Sequence, residues 1–241
     1  MVANQFLASG GLWLNMGGTE LLIDPGPGCI IQSTKRKLRA DKLSAIILSH
    51  RHLDHSADVN IMIEAMTNGG LKPRGWLFAP ADALEGKEPV VFSYLKSYLD
   101  GIGVLQEGKS YSMGNVSFTT PVRHIHPVET YGIKFAVGER TFSYITDSRY
   151  FKGLSSYSAE LLIINVVFLE DGRPFDHLSV PDAENIIAEL KPNVAILTHF
   201  GMTVWRARPW KIARDISYRT GVRVIAARDG MKFDLSLLAE N

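Results

Sequence analysis

Cysteine is nearly absent from the chain, occurring once, at Cys29. No intramolecular disulfide can form, so any metal site must draw mainly on histidine and carboxylate. The chain is compatible with a reducing compartment, and a cytoplasmic location is the expectation. An excess of charge of one sign is missing too. Lys and Arg number 26 against 25 Asp and Glu, a formal +1, which gives no whole-molecule attraction to nucleic acid or a membrane. No apolar run reaches the roughly 18 residues of a membrane span. The stretch from Met1 to Gly11 has neither the basic start nor the long apolar core of a secretory leader.

The rest is ordinary for a globular α/β protein. With 241 residues, 46% of them hydrophobic, the chain can bury a sizeable core. No linker, low-complexity tract or short repeat divides it, so a single domain over 1–241 is expected. Residues 11–16 and 20–23 read as a hairpin turning at Gly17-Gly18. Asp24-Pro25-Gly26-Pro27-Gly28 then interrupts the strand pattern. Residues 44–49 show no alternation and read as a strand buried on both faces. Further strands are expected at 75–79, 115–121, 130–137, 141–146, 161–168, Val194–Thr198 and 222–226, with a last apolar segment at 231–235. Helices are expected at 56–66, 90–99, Val180–Leu190 and 205–220. Strands cluster early and alternate with helices later, which suits sheets with helices packed outside.

Chemistry concentrates in Ser49-His50-Arg51-His52-Leu53-Asp54-His55, where four potential metal ligands fall within six residues between a buried strand and a helix. Residues two apart in an extended segment project the same way, so His50 and His52 can reach one ion. As the chain turns helical, Asp54 and His55 aim elsewhere and can serve a second. Imidazole and carboxylate suit zinc, with manganese or iron as alternatives. Three of only seven histidines lie in this segment, which argues against an incidental polar loop.

Here the chain resembles the metallo-β-lactamase superfamily, whose hallmark H-x-H-x-D-H follows a strand; His50, His52, Asp54 and His55 fill it without substitution. The resemblance implies a four-layer αβ/βα sandwich and two divalent metal ions. Leu22-Ile23-Asp24-Pro25-Gly26 is similar to the strand and turn that precede the hallmark. His126, Asp147 and His199 stand where the remaining ligands are expected. Asp147 ends the apolar run Phe142-Ser143-Tyr144-Ile145-Thr146, and His199 follows Val194-Ala195-Ile196-Leu197-Thr198. His124 and His126 would share one face of an extended segment; the following Tyr131-Gly132 resembles the strand start of phosphodiesterase-like members and favours His126. His124 then falls behind the site or on its substrate side.

The implied arrangement places His50, His52 and His126 on one ion and Asp54, His55 and His199 on the other, with Asp147 bridging. A water between the ions would become the attacking hydroxide, with Asp54 orienting it. Asp176-His177-Leu178-Ser179 precedes the helix that contains Pro181. This resembles the phosphodiesterase branch, which includes the tRNA 3′-end endonuclease RNase Z. There the corresponding histidine is linked to protonating the leaving alkoxide, a role expected of His177. Small or cyclic phosphodiesters, nucleotides or nucleic acid are the implied substrates, and no membrane partner is expected. The chain lacks a Gly-Pro-rich insertion like the tRNA-grasping arm, and Phe200-Gly201-Met202 departs from that enzyme after the last ligand. A thioester or lactone hydrolase resembling glyoxalase II is the alternative, and a non-catalytic metal-binding module the third reading. Arg206, Arg208, Lys211, Arg214 and Arg219 form a basic segment open to phosphate binding, and Trp205 and Trp210 are open to core packing or base stacking.

Overall fold

A computed structural model describes residues 7–9, 11–172 and 174–239. The expectation for Met1 to Gly11 therefore lies mostly outside the described residues. The chain forms two compact units, Met1–Ser117 with Val128–Tyr131, and Phe118–Pro127 with Gly132–Asn241.

The first unit is built on a five-stranded sheet. Strands β1 (Leu12–Met16) and β2 (Thr19–Ile23) pair antiparallel with Met16 opposite Thr19. Gly17 and Gly18 both take positive φ, 60° and 94°, as a two-residue hairpin turn of the right twist demands. Strands β3 (Ala45–Ile47), β4 (Trp76–Ala79) and β5 (Gly101–Val104) continue the sheet in parallel, in the order β1-β2-β3-β4-β5. All three residues of β3 are fully buried, as expected of a central parallel strand. Helices α1 (Cys29–Lys35), α2 (Leu53–Ser56), α3 (Val59–Thr67) and α4 (Ala81–Leu84) belong to this unit. Val59, Met62, Ile63 and Met66 fall on one face of α3 and share a core with Leu22, Ile46 and Leu77 of the sheet and with Leu48 just past β3.

The second unit is built on strands β8 (Ile133–Val137), β9 (Arg140–Ile145), β10 (Leu161–Asn165), β11 (Val194–Thr198) and β12 (Arg223–Ala226). Strands β9 to β12 are parallel neighbours, and β8 joins β9 antiparallel. The seven-stranded order is β12-β11-β10-β9-β8-β7-β6, with β6 (Lys109–Met113) and β7 (Val116–Thr120) beyond β8. Helix α5 (Val180–Leu190) begins at a capping box, in which Ser179 accepts from the Asp182 amide and Asp182 accepts from the Ser179 amide. Its Ala183, Ile186 and Ile187 join Leu162, Ile164, Ala195 and Leu197 in the core, together with Ala213 and Ile216 of α7 (Pro209–Thr220).

Several expectations shift. The helix expected over 205–220 is two helices, α6 (Met202–Arg206) and α7, because Pro209 disfavours helical geometry at Arg208, whose φ is 65°. Residues 56–66 likewise divide between α2 and α3. The segment 90–99 holds only the 3-10 turn Ser93–Tyr98, and 231–235 is no strand but leads into a 3-10 turn at Leu235–Ala239. The strand expected over 161–168 stops at Asn165, where the backbone turns to carry chemistry. Helix α1 starts immediately after Gly28, whose φ of 86° admits the sharp entry. No helix among the described residues is long and apolar enough to cross a membrane.

Cys29, at the start of α1, is 1% exposed, and burial followed by the Asp58 charge pushes its thiol up to about 12. The thiolate is the reactive form. The native protein should therefore resist an aromatic disulfide reagent and release one thiol equivalent only on unfolding. Rapid labelling of the native chain would contradict this placement.

Candidate metal centre

In the first unit the donors lie at the carboxyl ends of β2 and β3. Beyond Ile23 and Ile47, which are paired in register, the Asp24 amide donates to the Ile47 carbonyl at 2.9 Å. This brings the Asp24 carboxylate under the ligand-bearing loop. Its Oδ1 accepts from the Ser49 amide at 2.7 Å; its Oδ2 accepts from Ser49 Oγ at 2.7 Å and from His55 Nδ1 at 2.9 Å. The single Ser49 hydroxyl proton is thus spent on Asp24, so His50 Nδ1, 2.9 Å from Ser49 Oγ, must be the donor there. Both rings are thereby fixed as Nδ1–H tautomers, and each would meet a metal through Nε2. The ring of His50 lies 4.9 Å from that of His52 and 4.1 Å from that of His55. Asp54 Oδ2 is 3.7 Å from His55 Nε2.

In the second unit the parallel register does the same work. Ile164 of β10 sits opposite Ile145 of β9 and Leu197 of β11. Asp147, Asn165 and His199 therefore emerge along one edge, the carboxyl ends of three adjacent strands, where α/β sheets hold ligands. Asp147 is 2% exposed; its Oδ1 accepts from Asn165 Nδ2 at 2.8 Å. Its Oδ2 lies 3.4 Å from His177 Nδ1 and 3.9 Å from His199 Nε2. His199 takes a φ of 60°, a strained conformation for this residue type and one that persists at sites held for function. His126 Nδ1 donates to the Asp176 carbonyl at 2.9 Å, which again makes Nε2 the nitrogen with a lone pair, and its ring lies 5.3 Å from that of His177. Asp176 is itself held by Arg149 at 2.7 Å.

His124 and His126 separate clearly. His124 is buried against Phe151 and Tyr157, and its Nδ1 donates to the backbone carbonyl of Asp147 at 3.1 Å. Burial pushes its pKa down to about 4, so it is a neutral structural support behind Asp147. His177 lines a cavity of about 270 Å³ with Arg149, Tyr150, Phe168 and Phe175. In the basic segment, Arg219 forks onto Glu184 and Arg214 lies 3.3 Å from Asp215. Those two cations are engaged within the chain. Trp205 and Trp210 pack edge to face, their rings 6.3 Å apart, with Trp210 left exposed.

Two contributors escaped the sequence. Asp24 reads there as part of a turn, and Asn165 as a strand residue; register alone reveals their partners. The donor chemistry fits a divalent metal on its own terms. In the first unit Asp24, His50 and His55 offer donor atoms within 4.8 Å of one another, but Asp24 already receives three hydrogen bonds. It therefore orients the imidazoles, as outer carboxylates do around metal sites.

Imidazoles of His50, His55 and His126 whose Nδ1 is held, set near buried carboxylates at strand ends, suit the chemistry of a metal-dependent hydrolase of the α/β class. The β-lactamase superfamily domain matches residues 19–200, and the chain belongs to that family. Two β-sheets with helices packed on them agree with the metallo-β-lactamase sandwich expected from the sequence. An uncharacterized protein of Methanocaldococcus jannaschii is 31% identical over 96% of this chain and 89% of its own length. The probable metallo-hydrolase YhfI of Bacillus subtilis is 29% identical over 80% of each chain. The crystal structure of YhfI superposes with a TM-score of 0.75, covering 91% of this chain and 88% of its own. A diphosphatase of the PhnP family, 20% identical, shares the fold at a TM-score of 0.69 over 92% of this chain and 81% of its own.

Proposed function

We propose that the chain is a binuclear, zinc-dependent phosphodiesterase of the cytoplasm, with residues 1–241 acting as one catalytic domain. In this reading His50, His52 and His126 would hold one ion and Asp54, His55 and His199 the other, with Asp147 serving both. Bound metals supply an activated water and Lewis-acid stabilisation of the attacked group. Asp54 orients the attacking water. His177 donates its proton to the leaving oxygen as the phosphorus–oxygen bond breaks, then regains one from solvent. The observation that carries the phosphodiester reading is His177: its imidazole lines an open cavity while its Nδ1 stays 3.4 Å from Asp147 Oδ2. A thioester needs no such acid, since a thiolate leaves unaided. The substrates expected are small, cyclic or nucleotide phosphodiesters, with nucleic acid as an extension of the same chemistry.

The first test is hydrolysis of bis(p-nitrophenyl) phosphate before and after chelation and zinc restoration. Activity lost and regained with the metal supports the proposal. Protein loaded with two metals yet inactive would move the assignment to thioesters and lactones.

The proton role makes a sharper prediction. His177→Ala should lose about 100-fold or more on an alkyl phosphodiester, whose leaving group must be protonated. The p-nitrophenyl ester, with its stable phenolate, should lose far less. Equal losses on both substrates, at unchanged metal content, would remove His177 from the proton step.

A further inference from the structure

Asn165 closes β10 and is 2% exposed. Its Nδ2 donates to Asp147 Oδ1 at 2.8 Å and lies 3.3 Å from Tyr144 Oη. Its Oδ1 is buried with no hydrogen-bond partner among the described residues. The alternative amide orientation would aim that oxygen at the Asp147 carboxylate, so the orientation follows from charge. A buried amide with one end unsatisfied opposes folding. Leucine, of similar volume, would suit an otherwise apolar strand better. Position 165 is therefore explained by what it faces rather than by the core it occupies.

We propose that Asn165 is a positioning residue that fixes how Asp147 meets metal. By occupying Oδ1 it assigns ligation to Oδ2, the oxygen that stands 3.4 Å from His177 Nδ1 and 3.9 Å from His199 Nε2. A bound cation would then be met by Oδ2, with Oδ1 kept for the amide. The neutral amide also holds the carboxylate without competing for the cation, which an acidic or basic residue at 165 would fail to do. This inference rests on the reading of Asp147 as a ligand.

The test uses the full chain, stripped of metal and titrated with zinc against a chelator of known affinity. Wild type is compared with Asn165→Leu, Asn165→Asp and Tyr144→Phe. Removing a hydrogen bond to a metal ligand weakens binding by about 10- to 100-fold, and that loss is expected for Asn165→Leu. Asn165→Asp, which keeps the shape but faces carboxylate with carboxylate, should lose at least as much; it carries the test alone if the leucine variant does not fold. Tyr144→Phe, which removes the amide's other neighbour, should stay within about 3-fold of wild type on the same scale. The visible spectrum of the cobalt-loaded protein should change in the Asn165 variants and not in Tyr144→Phe, since only the former alter coordination. Wild-type affinity and spectrum in the variant that folds would overturn the inference. So would an equal loss in Tyr144→Phe, which would assign the effect to packing. A wild-type chain that binds no zinc would overturn both this inference and the metal reading beneath it. Zinc binding with unaffected Asn165 variants would remove the inference alone.

Discussion

Asp147→Ala is expected to lose at least about 100-fold in hydrolysis together with part of the bound metal, since even partners one step behind a ligand contribute 10- to 100-fold. The carboxylate is 2% exposed at the end of β9, between the Asn165 amide on one oxygen and the imidazoles of His177 and His199 near the other. Alanine deletes the negative charge that faces these two imidazoles. It leaves the buried Asn165 amide without its carboxylate. The backbone carbonyl of Asp147 still accepts from His124, so the strand end itself should persist. Asp147→Asn separates the two effects. An amide oxygen can still accept from Asn165, but an amide is a poor metal ligand and carries no charge. The asparagine variant should therefore approach wild-type stability while matching alanine in lost metal and activity. Metal content by elemental analysis, turnover on bis(p-nitrophenyl) phosphate and thermal unfolding of the metal-free protein distinguish these outcomes. An alanine variant with full metal and turnover within about 10-fold of wild type would refute the ligand assignment.

What the sequence disclosed and what it hid divide along one physical line. The hallmark segment is legible because its candidate ligands are contiguous: His50, His52, Asp54 and His55 are brought together by local spacing at a strand-to-helix junction. Helix α5 matches its expected bounds because Ser179 and Asp182 announce the cap and the apolar spacing does the rest. Asp24 and Asn165 were invisible because their partners arrive through register, 25 and 18 residues away. Strand β5 was missed for a different reason. Gly101 and Gly103 give no β signal, yet each lies beneath an aromatic ring of β4. A Cβ at Gly101 would come within 2.6 Å of Trp76, and one at Gly103 within 2.4 Å of Phe78. The register sets Trp76 opposite Gly101 and Phe78 opposite Gly103, so glycine is the residue that lets the rings lie across the neighbouring strand. The break before α7 was legible in principle, since Pro209 restricts Arg208, but the apolar periodicity of 205–220 masked it.

The largest loss of stability should come from Asp24. Its carboxylate accepts three hydrogen bonds in a buried place, from the Ser49 amide, the Ser49 hydroxyl and His55 Nδ1. Removing an acceptor strands its donors away from water at about 1–3 kcal/mol each, with some relief from rearrangement. Asp24→Ala is expected to lower the unfolding free energy of the metal-free protein by about 3 kcal/mol or more, measured by urea denaturation. Backbone strain adds to this, because Asp24 has a φ of 52°. Alanine disfavours that region by about 1–2 kcal/mol, whereas asparagine tolerates it. Asp24→Asn keeps that tolerance, so its loss measures the side-chain contribution, and the further loss in Asp24→Ala includes what the backbone contributes. Both variants should weaken zinc binding about 10- to 100-fold, because His55 Nδ1–H loses its carboxylate acceptor and the Ser49 hydroxyl that accepts from His50 loses the carboxylate that orients it. A change under about 1 kcal/mol in both would mean that the Ser49 and His55 donors find other acceptors. The two rings would then owe their orientation to the metal itself rather than to the carboxylate beneath them.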